Sequence, residues 1–133
     1  MKLLQDKVAI VTGAARGIGE AIAIKFAEQG ANVAFTYVSD SSAEKAKALE
    51  AKLIALGVKA KAYQSNAADF AACETMVADV LSTFGSVDIL VNNAGISKDN
   101  LLLRMSVEQW NDVIATNLNS VFYMTQQVLK PMM

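Results

Sequence analysis

The sequence predicts an α/β fold, a doubly wound sheet of parallel strands with helices on both faces. Three observations carry that prediction. Strand-like runs alternate with longer helix-like runs along the chain, as repeated strand–helix crossovers require. The first strand-like run, Val8–Val11, is apolar at every position, as a strand covered on both faces must be. A glycine cluster at residues 13–19 separates that run from the first helix-like one.

Taken in order, Val8–Val11 is the first strand, and a helix follows over residues 17–29. Ile18, Ala21, Ile22 and Phe26 share one face of that helix, and Gly30 stops it. Residues 33–37 form the second strand. Ser41 or Ser42 is placed to cap the next helix. Its buried stripe is Ala46, Leu49, Leu53 and Leu56, while Glu44, Lys45, Lys47, Glu50 and Lys52 form a solvated face. Gly57 ends it, and residues 59–64 alternate as a third strand.

Asp69 caps a third helix with a core stripe of Cys73, Met76, Val77, Val80, Leu81 and Phe84, so Cys73 is read as packing rather than as a nucleophile. Gly85 closes this helix. Residues 87–91 form the fourth strand and lead into Asn92-Asn93-Ala94-Gly95. Ser106 and Gln109 match a capping box opening a last helix to about residue 130, with Pro131 marking its end. Right-handed crossovers and the usual order for such sheets predict strands arranged 3-2-1-4.

Composition narrows the function. The 133 residues suit one domain, and 53% hydrophobic with 19% charged residues describes a packed chain rather than a disordered one. The net charge of −1 comes with no basic block, so neither a nucleic acid nor a membrane surface is an expected partner. The chain has no histidine, which removes Ser-His-Asp chemistry and histidine metal sites. Its single cysteine excludes an internal disulfide and a cysteine-pair zinc site, and no metal is expected. The apolar start at residues 1–4 is shorter than a signal peptide, and no run is long enough to span a bilayer, so a cytoplasmic location is expected.

The turn Thr12-Gly13-Ala14-Ala15-Arg16-Gly17-Ile18-Gly19 lies between strand and helix. Gly13 permits the tight exit from the strand, Gly17 lets a pyrophosphate approach the backbone, and Gly19 lets helix and strand pack closely. The helix start then offers unpaired N–H groups and partial positive charge to phosphate. A nucleotide-hydrolase loop would continue with Lys and Ser or Thr. Here Glu20-Ala21 follows Gly19, which removes that reading.

Three residues separate the first two glycines and one separates the last two. With Asn92-Asn93-Ala94-Gly95 after the fourth strand, that spacing resembles the short-chain dehydrogenase/reductase family. The resemblance covers the whole chain. It implies that residues 1–133 are the N-terminal part of a Rossmann-type dinucleotide-binding domain whose remaining strands are absent. More narrowly, residues 96–105, Glu108-Gln109-Trp110-Asn111-Asp112 and Thr116-Asn117-Leu118 resemble bacterial 3-oxoacyl-[acyl-carrier-protein] reductases. That group reduces 3-oxoacyl thioesters on acyl carrier protein with NADPH during fatty-acid elongation. The resemblance thus implies an acyl-carrier-protein-linked substrate and a homo-oligomer, a tetramer at full length, in which the last helix helps build the dimer interface.

It also implies roles. Gly13, Ala14, Ala15, Arg16, Gly17, Ile18 and Gly19 would hold the pyrophosphate. Asn66 and Ala67 would contact adenine. Asn93, Ala94 and Gly95 would lie along the adenosine ribose and pyrophosphate. Asn117 would be the catalytic asparagine that supports a lysine and a relay water. Asn117 also stands out by position, on an apolar stripe with Trp110, Val113, Ile114, Val121 and Phe122. A buried amide without partners costs roughly 2–7 kcal/mol, so either this role or a bond to nearby backbone should satisfy it.

For the cofactor, the resemblance places Tyr37 where NAD-preferring members carry an acid, and Asp40 falls beyond the strand. Arg16 is available for a 2′-phosphate, and NADPH is expected over NADH. The family's serine, tyrosine and lysine normally follow a fifth strand. Tyr37 and Tyr63 are strand residues, and Tyr123 has no lysine at the needed spacing. The expectation is an inactive cofactor-binding half, truncated or cleaved from a longer enzyme or completed by another chain. Without that completion, the fourth strand and the last helix would expose apolar surface. A non-catalytic nucleotide-binding module, or a dehydrogenase for a sugar, steroid or small alcohol, is the competing reading.

Overall fold

Strands β1 (Val8–Val11), β2 (Asn32–Tyr37), β3 (Ala60–Gln64) and β4 (Ile89–Val91) pair in parallel in the order β3-β2-β1-β4. This is the expected order, seen here in a computed structural model that describes residues 1–133. Ile10 stands opposite Ala34 on one side and Leu90 on the other, so β1 is central.

Side chains alternate across the sheet and sort the helices onto its two faces. Val8, Ile10 and Ala34 pack with Cys73, Met76, Val77 and Val80 of α3 (Phe70–Phe84) and with Met124 and Val128 of α5 (Ser120–Met132). Val11, Val33 and Phe35 pack on the other face with Ala23 and Ala27 of α1 (Gly17–Glu28) and with Ala46, Leu49 and Leu53 of α2 (Ala43–Ala55). The sheet is thus doubly wound. Each fully buried large side chain, such as Phe35, Ile10 or Leu53, stabilises the fold by about 1.5–3 kcal/mol.

Several sequence expectations need correction. The fully buried stripe of α1 is Gly19, Ala23 and Ala27; of the expected face, Ile22 and Phe26 pack partly buried beside that stripe, while Ile18 and Ala21 are exposed. Small residues let α1 lie close to the sheet, and Ile18 is 75% exposed. Neither Ser41 nor Ser42 caps α2. A 3-10 turn at Asp40–Ser42 leads into the helix instead, and both hydroxyls bond Ser39 Oγ. Leu56 is exposed past the end of α2. Glu50 leaves the solvated face, because its Oε2 accepts the Ala62 N–H of β3 at 2.7 Å.

The fourth strand begins at Ile89, two residues later than expected. Asp88 Oδ2 accepts the Val8 N–H at 2.8 Å, and the Asp88 N–H donates to Val8 O at 2.8 Å. A side chain therefore takes one ladder position. Asp69 caps α3 by accepting the Ala72 N–H, and Gly85 ends α3 at φ 88°.

The Ser106–Gln109 capping box forms and opens α4 (Val107–Ile114). The expected single helix is interrupted by a π-helical turn at Ala115–Asn119, then continues as α5 through Met132, past Pro131. Proline removes one N–H in the final turn without ending the helical backbone there. Trp110, Val121 and Phe122 are 56%, 40% and 60% exposed, so the predicted stripe around Asn117 is not buried in this chain. No helix is long and apolar enough to cross a membrane.

Candidate functional site at the carboxyl ends of β1 and β4

The chain leaves β1 through Thr12, whose side chain is 1% exposed. Its hydroxyl accepts the N–H groups of Asn93 at 3.0 Å and Ala94 at 2.9 Å. The Asn93 amide returns the contact, donating from Nδ2 to Gly13 O at 3.1 Å. Beneath them, the Gly13 N–H donates to Thr36 Oγ1 and the Ala14 N–H to Thr36 O, both at 3.0 Å. The glycine turn is therefore pinned to β2 on one side and to the segment after β4 on the other.

That pinning leaves no room for side chains at two glycines. A Cβ on Gly19 would stand 2.5 Å from Asn93 Nδ2 and 2.7 Å from Gly13 O. One on Gly13, at φ 65°, would stand 3.0 Å from Ala94 Cα. The close approach served by Gly19 is thus to Asn93 and the turn itself, a refinement of the helix–strand packing expected from sequence. Nothing lies within 4 Å of a Cβ built on Gly17, so that side of the turn is open.

The start of α1 is chemically ready for an anion. Arg16 is its N-cap and makes no side-chain cap hydrogen bond, so no side chain takes up the first N–H groups. Ala14 and Ala15 are buried, while Arg16, Gly17 and Ile18 are exposed. Aligned N–H groups and the helix dipole favour negative charge there.

Gly95 and Ile96 continue the far wall. Asn117, within the π turn, accepts the Ile96 N–H at its Oδ1 (2.8 Å) and donates from Nδ2 to Ile96 O (2.9 Å). Its amide is exposed yet doubly bonded to backbone, so nearby backbone satisfies both of its polar ends. The wide π turn sets Asn117 opposite the Gly95–Ile96 segment, a use such turns often have at functional sites. Arg16, Gly95, Ile96, Ser97, Lys98 and Asn117 line one mostly polar cavity of about 470 Å³.

The structure thus brings together the glycine turn, Asn93, Ala94, Gly95 and Asn117. Asn66 and Ala67 sit after β3. Asn66 Oδ1 accepts the Ala68 N–H at 2.9 Å, and Ala67 is buried in the cluster against which Ala94 packs. Tyr37 ends β2, and Asp40, beyond it, accepts a hydrogen bond from Gln64 Nε2. Sequence reasoning missed Thr12 and Thr36. The available signal was a hydroxyl inside, or just after, an otherwise apolar strand. Cys73 is buried, and burial first, then the charge of Asp69, pushes its thiol up to about 11, which keeps it protonated and unreactive near neutral pH.

Known proteins share this fold. A family model described as short chain dehydrogenase matches residues 7–133. The 3-oxoacyl-[acyl-carrier-protein] reductase FabG of Staphylococcus epidermidis is 50% identical over 128 residues, covering 96% of this chain and 52% of that protein. FabG of Escherichia coli is 46% identical over 129 residues, covering 97% and 50%. The chain therefore spans about half the length of these relatives. Among solved structures, a metagenomic blue fluorescent protein in complex with NADPH superposes with a TM-score of 0.94 at 40% identity, covering 97% of this chain and 52% of that one. A short chain dehydrogenase from Burkholderia cenocepacia in complex with NADP gives 0.93 at 41% identity, covering 96% and 51%.

Proposed function

Because the chain belongs to the short chain dehydrogenase family, we propose that it binds NADPH for the reduction of a 3-oxoacyl thioester on acyl carrier protein. It does so as the cofactor-binding part of that enzyme, and residues 1–133 alone bind without turnover. The observation that carries this reading is the α1 start, uncapped by any side chain and locked beside Gly95 and Asn117 by Thr12 and Asn93.

The residues present fit the cofactor. The α1 N–H groups receive the pyrophosphate, and Gly17 leaves the approach open. Asn66 keeps its amide NH₂ free of protein partners, a donor suited to adenine, and Ala67 offers backbone beside it. Asn93, Ala94 and Gly95 form the wall along the ribose and pyrophosphate. Tyr37 brings no negative charge to the end of β2, and Arg16 supplies a positive one for a 2′-phosphate. The bound dinucleotide would supply hydride. The chain's part is to fix its position and to hold Asn117 at the inner end of the cleft, where it orders the Ile96 segment.

Fluorescence titration with NADPH and NADH tests the binding. Tighter NADPH binding is expected, and equal or tighter NADH binding would overturn the cofactor assignment. Mixing the chain with NADPH and a 3-oxoacyl-acyl-carrier-protein should give binding without cofactor oxidation. Measurable ketone-dependent oxidation would overturn the assignment of a binding role alone.

A further inference from the structure

We propose that Lys45 and Lys52 of α2 form, with Arg16, a groove that reads the 2′-phosphate of the dinucleotide. This inference rests on the NADPH-binding reading above and extends its discriminating residues beyond the glycine turn. Arg16 and Glu20, from the turn and α1, share one cavity of about 400 Å³ with Lys45 and Lys52. Three cations thus face one carboxylate around a single hollow.

None of them is neutralised by a partner. The ion pairs of the chain are Lys25–Glu28 and Lys61–Asp79, and neither touches this cavity. Like charges gathered without partners repel, and an anion entering between them relieves that repulsion. Lys45, Leu49 and Lys52 lie at i, i+4 and i+7, one face of a helix. Leu49 is 3% exposed and packs in the cluster shared with α1, so it fixes the rotation of α2. Both lysines are exposed and line the groove, and neither ammonium group is held in an ion pair.

The division of labour follows from chemistry. Arg16 offers a planar fork at the head of the groove, and the lysines add flexible point charges. Lys47 provides an internal control, since it is exposed on the same helix but does not line the cavity.

NADPH and NADH differ only by the 2′-phosphate, so their affinities are measured in parallel by fluorescence titration. The proteins are the unaltered chain and Lys45→Ala, Lys52→Ala, Lys45→Glu and Lys47→Ala, with circular dichroism as the folding check. Lys45→Ala and Lys52→Ala should each weaken NADPH by about tenfold, the scale of one charge-assisted contact, and leave NADH unchanged. Lys45→Glu should weaken NADPH further, and Lys47→Ala should change neither affinity. If the Lys45 and Lys52 variants match Lys47→Ala, or weaken both cofactors equally, the groove does not read the 2′-phosphate. The nucleotide reading then still stands, because the unaltered chain binds. If the unaltered chain binds neither cofactor, both readings fall together.

Discussion

The hydroxyl of Thr12 stands 3.0 Å from the amide nitrogen of Asn93 and accepts its hydrogen. A residue at the end of β1 therefore fixes the segment that follows β4, and Asn93 answers by holding Gly13 O. The two walls of the cleft form one hydrogen-bonded unit.

Thr12→Val tests that unit. Valine keeps the shape but leaves the Asn93 and Ala94 N–H groups without their acceptor. Each unsatisfied buried group costs about 1–3 kcal/mol, so the denaturation midpoint should fall and NADPH should bind more weakly. Thr12→Ser keeps the oxygen and should lose much less. A Thr12→Val variant as stable in urea titration as the unaltered chain would show that the hydroxyl does not hold the unit together.

Gly19→Ala and Gly17→Ala should fail differently. At Gly19 the new methyl meets the Asn93 amide and the Gly13 carbonyl, and overpacking of this kind costs about 1–3 kcal/mol. It also breaks the cleft, so NADPH binding should be lost. At Gly17 the space is open but φ is 62°, so only backbone strain of about 1–2 kcal/mol is added. Thermal melts with NADPH titration separate the two. A Gly19 variant that binds normally would mean the turn can shift away from Asn93 without loss.

Asn117→Ala removes both bonds to Ile96. The amide is exposed, so each bond contributes about 0.5–1.5 kcal/mol, and the global loss should be small. The local effect should be larger, with faster hydrogen exchange at the Ile96 amide and weaker NADPH binding. Unchanged exchange at Ile96 would show that the π turn holds this segment without the side chain.

The reach of the sequence follows from which forces act locally. Sheet order was legible because alternating strand and helix leave few topologies, and the Asp69, Gly85 and Ser106–Gln109 signals were legible because caps depend on neighbours in sequence. The face of α1 was legible only in part: Ile22 and Phe26 do pack against the core, but the sheet takes Gly19, Ala23 and Ala27 for its closest approach and leaves Ile18 and Ala21 in solvent. The π turn was not legible, and the contact it accompanies, Asn117 bonded to Ile96, joins residues 21 apart. Glu50 looked like a solvated charge because its partner, the Ala62 N–H, belongs to the next strand. At the site, the glycine turn and the Asn93 segment were legible as motifs. Thr12 and Thr36 were not, since their worth lies in which loops they join.

Cys73 should resist thiol reagents while the chain is folded. Its thiol is buried and pushed up to about 11, so little thiolate exists near neutral pH and little surface is offered. Reaction with an aromatic disulfide should be slow in buffer and complete in denaturant. Rapid reaction in buffer would mean that α3 opens readily from the sheet.

Asp79 ties the edge of the sheet to α3. It accepts from Tyr63 Oη at 2.5 Å, Lys61 Nζ at 2.9 Å and Thr83 Oγ1 at 3.3 Å. The Tyr63 hydrogen bond first, then the Lys61 one, hold its carboxyl below the usual aspartate range. A carboxylate lowered by folding contributes stability that is present above its unfolded pKa. That contribution is lost as pH falls through the lower folded value. Tyr63 has the opposite sign. Burial first, then Asp79, push its phenol up from the ordinary 10.0, so its contribution is full below that value and fades as pH climbs above it. Tyr63→Phe should therefore return the Asp79 carboxyl toward its ordinary value and reduce the stability lost on acidification. It should also remove the alkaline loss that Tyr63 causes. Carboxyl-carbon NMR of Asp79 between about pH 2 and 6, with melting temperatures across the same range, reads both acid effects. An Asp79 titration identical in the two proteins would assign the lowering to Lys61 and Thr83 instead.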